Sequence, residues 1–177
     1  MSATVLIPAE RIAARVVALA GEIAAALDPA ARAEGLLVVG PLKGSVIFMA
    51  DLVRALHAHL DHVEIDFLGL SSYGAGTTST GTVTLDGEPR HPVAGRHVLL
   101  VDDIVDTGRT LAFAQGWLRD QGVASLRTCT LLDKPARRVV PVPVEHVGFE
   151  IEDVFVVGYG TDYAERHREL PYIGVLG

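Results

Sequence analysis

One cysteine, Cys129, occurs in 177 residues, so the chain builds neither a disulfide framework nor a cysteine metal site. A reducing cytoplasm fits that usage. No apolar run approaches the ~18 residues needed to span a bilayer. The opening, MSATVLIPAERIAARV, lacks a basic segment followed by an apolar block, so no signal peptide is expected. Basic charge is also scarce: 15 Lys and Arg stand against 22 Asp and Glu, a formal net charge of −7. That balance argues against broad nucleic-acid binding, which needs a basic surface. It leaves room for a phosphorylated ligand, because backbone amides and metal ions hold phosphate locally. The remainder is an ordinary globular composition, 49% apolar and 21% charged. The length suits one domain over residues 1–177.

Hydrophobic spacing orders the elements. Ile12, Val16, Leu19 and Ile23 share one helical face. LLVVG (36–40) is a short apolar run ending at glycine and reads as a buried strand. Val46, Met49, Val53, Leu56 and Leu60 mark a second amphipathic helix, and VEIDFLGL (63–70) alternates as a strand. Residues 71–81, SSYGAGTTSTG, are small and polar with one aromatic, Tyr73, the composition of a mobile loop. TVTLDGEP follows as a short strand with an Asp-Gly turn. His97 to Val101 reads as a buried strand, and Thr110 to Gln121 as a helix with Gly122 at its C-cap. Leu126–Leu132 and Phe155–Tyr159 are further strands, and a short polar helix and YIGVL close the chain. VVPVPV (139–144) holds two prolines, so it connects or edges the sheet. Alternating strands and helices give an α/β fold with a mainly parallel central sheet flanked by helices.

Three acids stand where the most buried strand ends, in HVLLVDDIVDTGRTL (97–111). Ligands of open parallel sheets bind beyond the carboxyl ends of strands. Gly108 lets the backbone approach a ligand closely. Thr107 and Thr110 add hydroxyls, and the amides at the following helix start form an anion nest. The loop from Asp106 to Thr110 therefore suits a phosphate. The paired acids Asp102 and Asp103 repel phosphate, yet accept hydrogen bonds from sugar hydroxyls, directly or through a cation. Together the two halves describe a sugar-phosphate site. Two other readings fit parts of the string. One is acids capping a helix beside a turn glycine. The other is the paired-acid strand of a phosphoacceptor receiver domain, which stands at the N-terminus of such domains and not behind a full strand–helix array.

With its surroundings, the stretch resembles the ribose-phosphate motif of type I phosphoribosyltransferases, and most of all their hypoxanthine-guanine branch. The matching segments run in order: PLKGS (41–45), SSYG (71–74), VDDIVDTGRTL (101–111), LLDKP (131–135) and FEIEDVFVVGYGTDYAERHREL (149–170). They span most of the chain, and the last is the most specific. The resemblance implies transfer of a phosphoribosyl group from phosphoribosyl pyrophosphate to a 6-oxopurine, with Mg2+ as cofactor. It also implies a small hood formed by the chain ends.

The resemblance carries roles residue by residue. Asp106, Thr107, Gly108, Arg109 and Thr110 would cradle the 5′-phosphate. Asp102 and Asp103 would hold the ribose, and their charge would favour a ribosyl cation. Asp106 would also be the general acid/base at purine N7. Leu42, Lys43 and Gly44 would form the pyrophosphate loop, with a non-proline cis peptide next to the lysine, and Arg168 would be its C-terminal counterpart. Asp162 would bind the magnesium, which arrives mainly with the substrate. Lys134 would donate to the purine 6-oxo group and so select against adenine. Phe155 would stack on the base, and the backbone of Val156 would read its far edge. Ser72 and Tyr73 would sit on a lid, 71–81, that keeps water from the cation.

Each residue also has a plainer reading. Asp106 and Asp162 could be turn residues, Lys43, Lys134 and Arg168 surface cations, and Phe155 core. The chain departs from the family twice: Asp102 stands where Glu is usual, and Gly69, Leu70 and Ser71 stand where many animal relatives are basic. His57, His59 and His62 match no strong zinc spacing. Cys129 reads as inert core, and Trp117 as core or subunit contact. The apolar excess suits a homodimer or homotetramer. A competing function is a non-catalytic sensor of phosphoribosyl pyrophosphate, which typically adds a nucleic-acid-binding segment or a basic face. Neither is seen here.

Overall fold

A computed structural model describes residues 3–72 and 82–176. In chain order the elements are β1 (Ala3–Ile7), α1 (Ala9–Ala26), α2 (Pro29–Glu34), β2 (Leu36–Leu42), α3 (Ser45–Leu56), β3 (Val63–Ser72) and β4 (Val83–Gly87). Then follow β5 (His97–Val105), α4 (Arg109–Asp120), β6 (Ser125–Asp133), a single 3-10 turn (Pro135–Arg137), β7 (His146–Glu150), β8 (Val156–Val157) and β9 (Ile173–Leu176).

Six strands form the central sheet in the order β4-β3-β2-β5-β6-β7. All neighbours are parallel except β4, which runs antiparallel to β3. The pleat explains why Leu36–Val39 of β2 and Val98–Val101 of β5 are apolar without a break. Val38, Leu99 and Val101 face α1 and α3, while Leu37, Val39, Val98 and Leu100 face α4. A parallel sheet covered on both faces needs unbroken apolar strands, not alternating ones. β1, β9 and β8 make a separate antiparallel sheet in that order. It joins the two chain ends into the expected hood, and Ile7, Val156 and Ile173 anchor it in the core on the α1 side.

Several local expectations need correction. β5 does not stop at Val101 but continues to Val105, because its ladder with β6 persists through Val105 opposite Asp133. Asp86 and Gly87 stay inside β4, with Gly87 opposite Gly69, so the Asp-Gly pair makes no turn. α3 ends at Leu56, and Leu60 reaches the core from the following turn. The strand expected over 155–159 is only Val156–Val157, since Gly158, Tyr159 and Gly160 all take positive φ. No helix forms over 163–170. Ala164, Glu165 and His167 have φ of 51°, 65° and 77°, and Tyr163 and Arg166 close a tight bridge. β1, α2 and β7 lie where no element was expected.

Candidate active site

β5 and its loop bring the acid-rich string together. Asp102 and Asp103 are 7% and 9% exposed, and so are buried inside the strand end, not presented on an open edge. The Asp103 amide donates to Oδ1 of Asp102, and the Ile104 amide to Oδ1 of Asp103, both at 3.0 Å. Burial pushes the Asp102 carboxyl well above the usual carboxylate range, and the charge of Asp103 adds to it. Burial raises Asp103 as well. Two adjacent buried carboxyls suit a hydroxyl donor or a cation as partner.

Beyond β5 the chain turns at Gly108, with φ of +85°, into α4, whose first residues are Arg109 and Thr110. A Cβ at Gly108 would lie 2.6 Å from the Val140 carbonyl, so only glycine fits. The Val139 and Val140 amides donate to the Thr107 carbonyl at 3.0 and 3.1 Å. The proline-rich connector thus pins the loop from behind. In front, Asp102, Asp106, Thr107, Gly108 and Thr110 line a cleft of about 220 Å³. The free amides of a helix start facing such a cleft favour an anion. A larger groove of about 670 Å³, lined by Ala13, Val17, Asp51, Tyr159 and others, contains none of the expected site residues.

The PLKGS loop closes the other side. The Leu42–Lys43 peptide is cis, as the resemblance implied. Gly44 touches Asp103: a Cβ there would lie 2.2 Å from its Oδ2. Gly160 packs in turn on the Gly44 carbonyl, which brings the C-terminal segment alongside. From it, Arg168 donates to the Gly160 carbonyl at 2.6 Å and lies 2.9 Å from Asp162 Oδ1. Its Nε is buried without a partner among the described residues. Arg168 is therefore not a free surface arginine. Leu42 is exposed and Lys43 largely so.

Lys134 follows the end of β6, with its amide donating to the Val105 carbonyl at 2.9 Å, one residue from Asp106. It is 6% exposed, which overturns a surface lysine. Phe155 is 54% exposed and meets Tyr163 edge-on, with centroids 5.7 Å apart, which overturns a core role. Val156 is buried in the hood beside it. Ser72 ends β3, paired with Val83; Tyr73 and the rest of the expected lid 71–81, residues 73–81, lie outside the described residues.

Three charged neighbours escaped the sequence reading. Arg137 lies 3.0 Å from Asp106 and 3.6 Å from Asp153, Arg138 pairs with Asp133, and Glu165 pairs with Lys43. The charge-rich continuation of LLDKP, Ala-Arg-Arg, was the available signal for the first two. Trp117 packs against the core on the α4 side.

The Phosphoribosyl transferase domain model matches residues 8–164. Hypoxanthine phosphoribosyltransferase of Haemophilus influenzae is 54% identical over 141 residues, covering 80% of this chain and 77% of that protein. The Escherichia coli protein of the same name is 45% identical over 170 residues, covering 96% and 93%. A crystal structure of a Bacillus anthracis hypoxanthine-guanine phosphoribosyltransferase superposes with a TM-score of 0.87 at 41% identity, covering 98% of each chain. The chain belongs to the phosphoribosyltransferase family, in its hypoxanthine-guanine branch.

Proposed function

We infer that this chain is a purine-salvage enzyme. It transfers the 5-phosphoribosyl group of phosphoribosyl pyrophosphate to N9 of hypoxanthine, and of guanine, giving the nucleotide and pyrophosphate. The C1′–oxygen bond to pyrophosphate breaks and a C1′–N9 bond forms. The observation that carries this reading is the buried Asp102–Asp103 pair running straight into the glycine turn and the start of α4. It offers a sugar subsite and a phosphate subsite in one continuous stretch. The relatives named above are enzymes, and nothing favours the sensor reading.

Within this reading, the residues 106–110 hold the 5′-phosphate, and Asp102 and Asp103 take the ribose hydroxyls and steady the electron-poor C1′. Asp106 carries the proton at purine N7. Lys134 donates to O6, Phe155 stacks on the ring, and the Val156 backbone reads the C2 edge. Leu42, Lys43, Gly44 and Arg168 receive pyrophosphate. Residues 71–81, with Ser72 and Tyr73, act as the lid of one domain spanning 1–177.

Mg2+ suits the donor set. Asp162 offers a partly exposed, oxygen-only carboxylate. No group of three His, Cys, Asp or Glu gathers among the described residues, as befits an ion that brings its other ligands with a diphosphate. When bound, the ion neutralises charge on the leaving pyrophosphate. Among the described residues no helix is long and apolar enough to cross a membrane. A single, buried, unpaired cysteine fits a cytoplasmic site of action. The apolar excess of the chain suits a homodimer or homotetramer.

The test is to incubate the protein with phosphoribosyl pyrophosphate, Mg2+ and each purine in turn, and to measure nucleotide. Inosinate and guanylate should form, and adenylate far more slowly. No nucleotide from any 6-oxopurine would contradict the reading.

A further inference from the structure

The two cations read as pyrophosphate contacts already share an anion. Lys43 Nζ lies 2.9 Å from Oε2 of Glu165, and Arg168 Nη2 lies 3.5 Å from Oε1 of the same carboxylate. Each oxygen is turned to one cation. The hydrogen bond and charge of Lys43, with a smaller contribution from Arg168, hold Glu165 below its ordinary range. The backbone fixes this placement. Glu165 sits in the left-handed run of Ala164, Glu165 and His167, a conformation that side-chain-bearing residues rarely adopt. The reciprocal Tyr163–Arg166 hydrogen bonds, 3.0 Å each, close the turn. The Asp162 carboxylate accepts the Glu165 amide at 2.8 Å. A constrained turn thus carries one carboxylate to the point where two cations converge.

We propose that Glu165 is a built-in stand-in for the leaving group: it engages Lys43 and Arg168 in the ligand-free protein and must yield them when pyrophosphate binds. The inference rests on the reading of Lys43 and Arg168 given above. A single carboxylate carries less charge than a pyrophosphate group, so it is displaced by the ligand without barring it. Its re-engagement helps to expel the product. Lys43 and Glu165 are 67% and 64% exposed, so their pairing is weak and screened by salt. The competition is correspondingly modest.

The test compares wild type with Glu165→Gln, which keeps the shape and removes the charge. Calorimetry with magnesium pyrophosphate gives Kd, and initial rates give KM for phosphoribosyl pyrophosphate, each at low and high salt. At low salt the variant should bind both about two- to fivefold more tightly, the range that an exposed ion pair can supply. The gain should fade at high salt. Glu169→Gln removes the same charge from a neighbouring exposed acid that has no ion pair among the described residues, and should change little. Unchanged or weaker pyrophosphate binding in Glu165→Gln, or an equal gain in Glu169→Gln, would overturn the inference. Calorimetry needs no turnover, so the two ideas separate. Absence of nucleotide formation by wild type contradicts the proposed function, whereas an active enzyme indifferent to Glu165→Gln contradicts only this inference.

Discussion

Asp102 and Asp103 set the terms at the scale of single residues. Burial raises both carboxyls, and the charge of Asp103 raises Asp102 further. A raised folded-state pKa means that the native protein binds more protons than the unfolded chain between the two values. The pair's contribution to stability is present below the ordinary carboxylate range and is lost as pH rises through the raised value. Asp102→Asn keeps the oxygen that accepts the Asp103 amide and removes one charge. At neutral pH it should raise the melting temperature, by ~2–4 °C if it relieves about 1 kcal/mol. The same change should lower kcat/KM, and scanning calorimetry beside initial rates checks both. Asp106→Asn removes the candidate proton carrier while keeping its shape, and should cost roughly 10²–10⁴ in kcat. Wild-type turnover would remove that role. Replacing Lys134 with methionine should erode the preference for hypoxanthine over adenine, by about tenfold or more for a lost donor; the ratio of the two kcat/KM values reports it. The identity of these residues was legible from VDDIVDTGRTL and LLDKP. Their partners were less so: the Arg-Arg pair after LLDKP does not say which acid it meets, nothing local marks Glu165, and Arg137 and Glu165 reach Asp106 and Lys43 only through the fold.

Among the elements, β5, α4 and the turn between them form the unit on which the site depends. Gly108→Ala would place a Cβ 2.6 Å from the Val140 carbonyl at a φ of +85°. It should destabilise the protein by roughly 1–3 kcal/mol and raise KM for phosphoribosyl pyrophosphate, as urea denaturation and initial rates would show. Periodicity placed α1, α3, β2, β3, α4 and β6 correctly, because two-sided burial of a parallel sheet writes apolar runs and amphipathic helices into the chain. It ended β5 too early because polarity changes at Asp102, whereas the ladder with β6 depends only on backbone amides and carbonyls. The short polar helix expected before YIGVL does not form. The actual turn rests on Asp162 accepting the Glu165 amide, which no periodicity reports. β7 gives a weak signal because two prolines, Pro141 and Pro143, lie just upstream and it carries glycine at its centre, Gly148, where a Cβ would collide with the Leu131 carbonyl.

On the scale of the whole molecule, the chain ends close over the site that the middle builds. β9 is the centre of the hood, pairing with β1 on one side and β8 on the other. It thereby holds Val156 and the adjoining Phe155 in place. Ile173 in β9 is fully buried, so Ile173→Ala should cost about 2–5 kcal/mol in urea denaturation, and KM for the purine should rise more than KM for phosphoribosyl pyrophosphate. Arg15 secures β7, an edge strand of the central sheet, from α1, donating to the Val147 and Gly148 carbonyls at 2.7 and 3.0 Å. The hood emerged from family likeness and not from residue patterns, since pairing between the two ends of a chain leaves no local signal. A crystal structure of the protein with inosinate tests the account most directly. It should show the 5′-phosphate within hydrogen-bonding distance of the amides of 106–110 and the ribose hydroxyls on Asp102 and Asp103. Inosinate bound elsewhere, with that cleft empty, would contradict it.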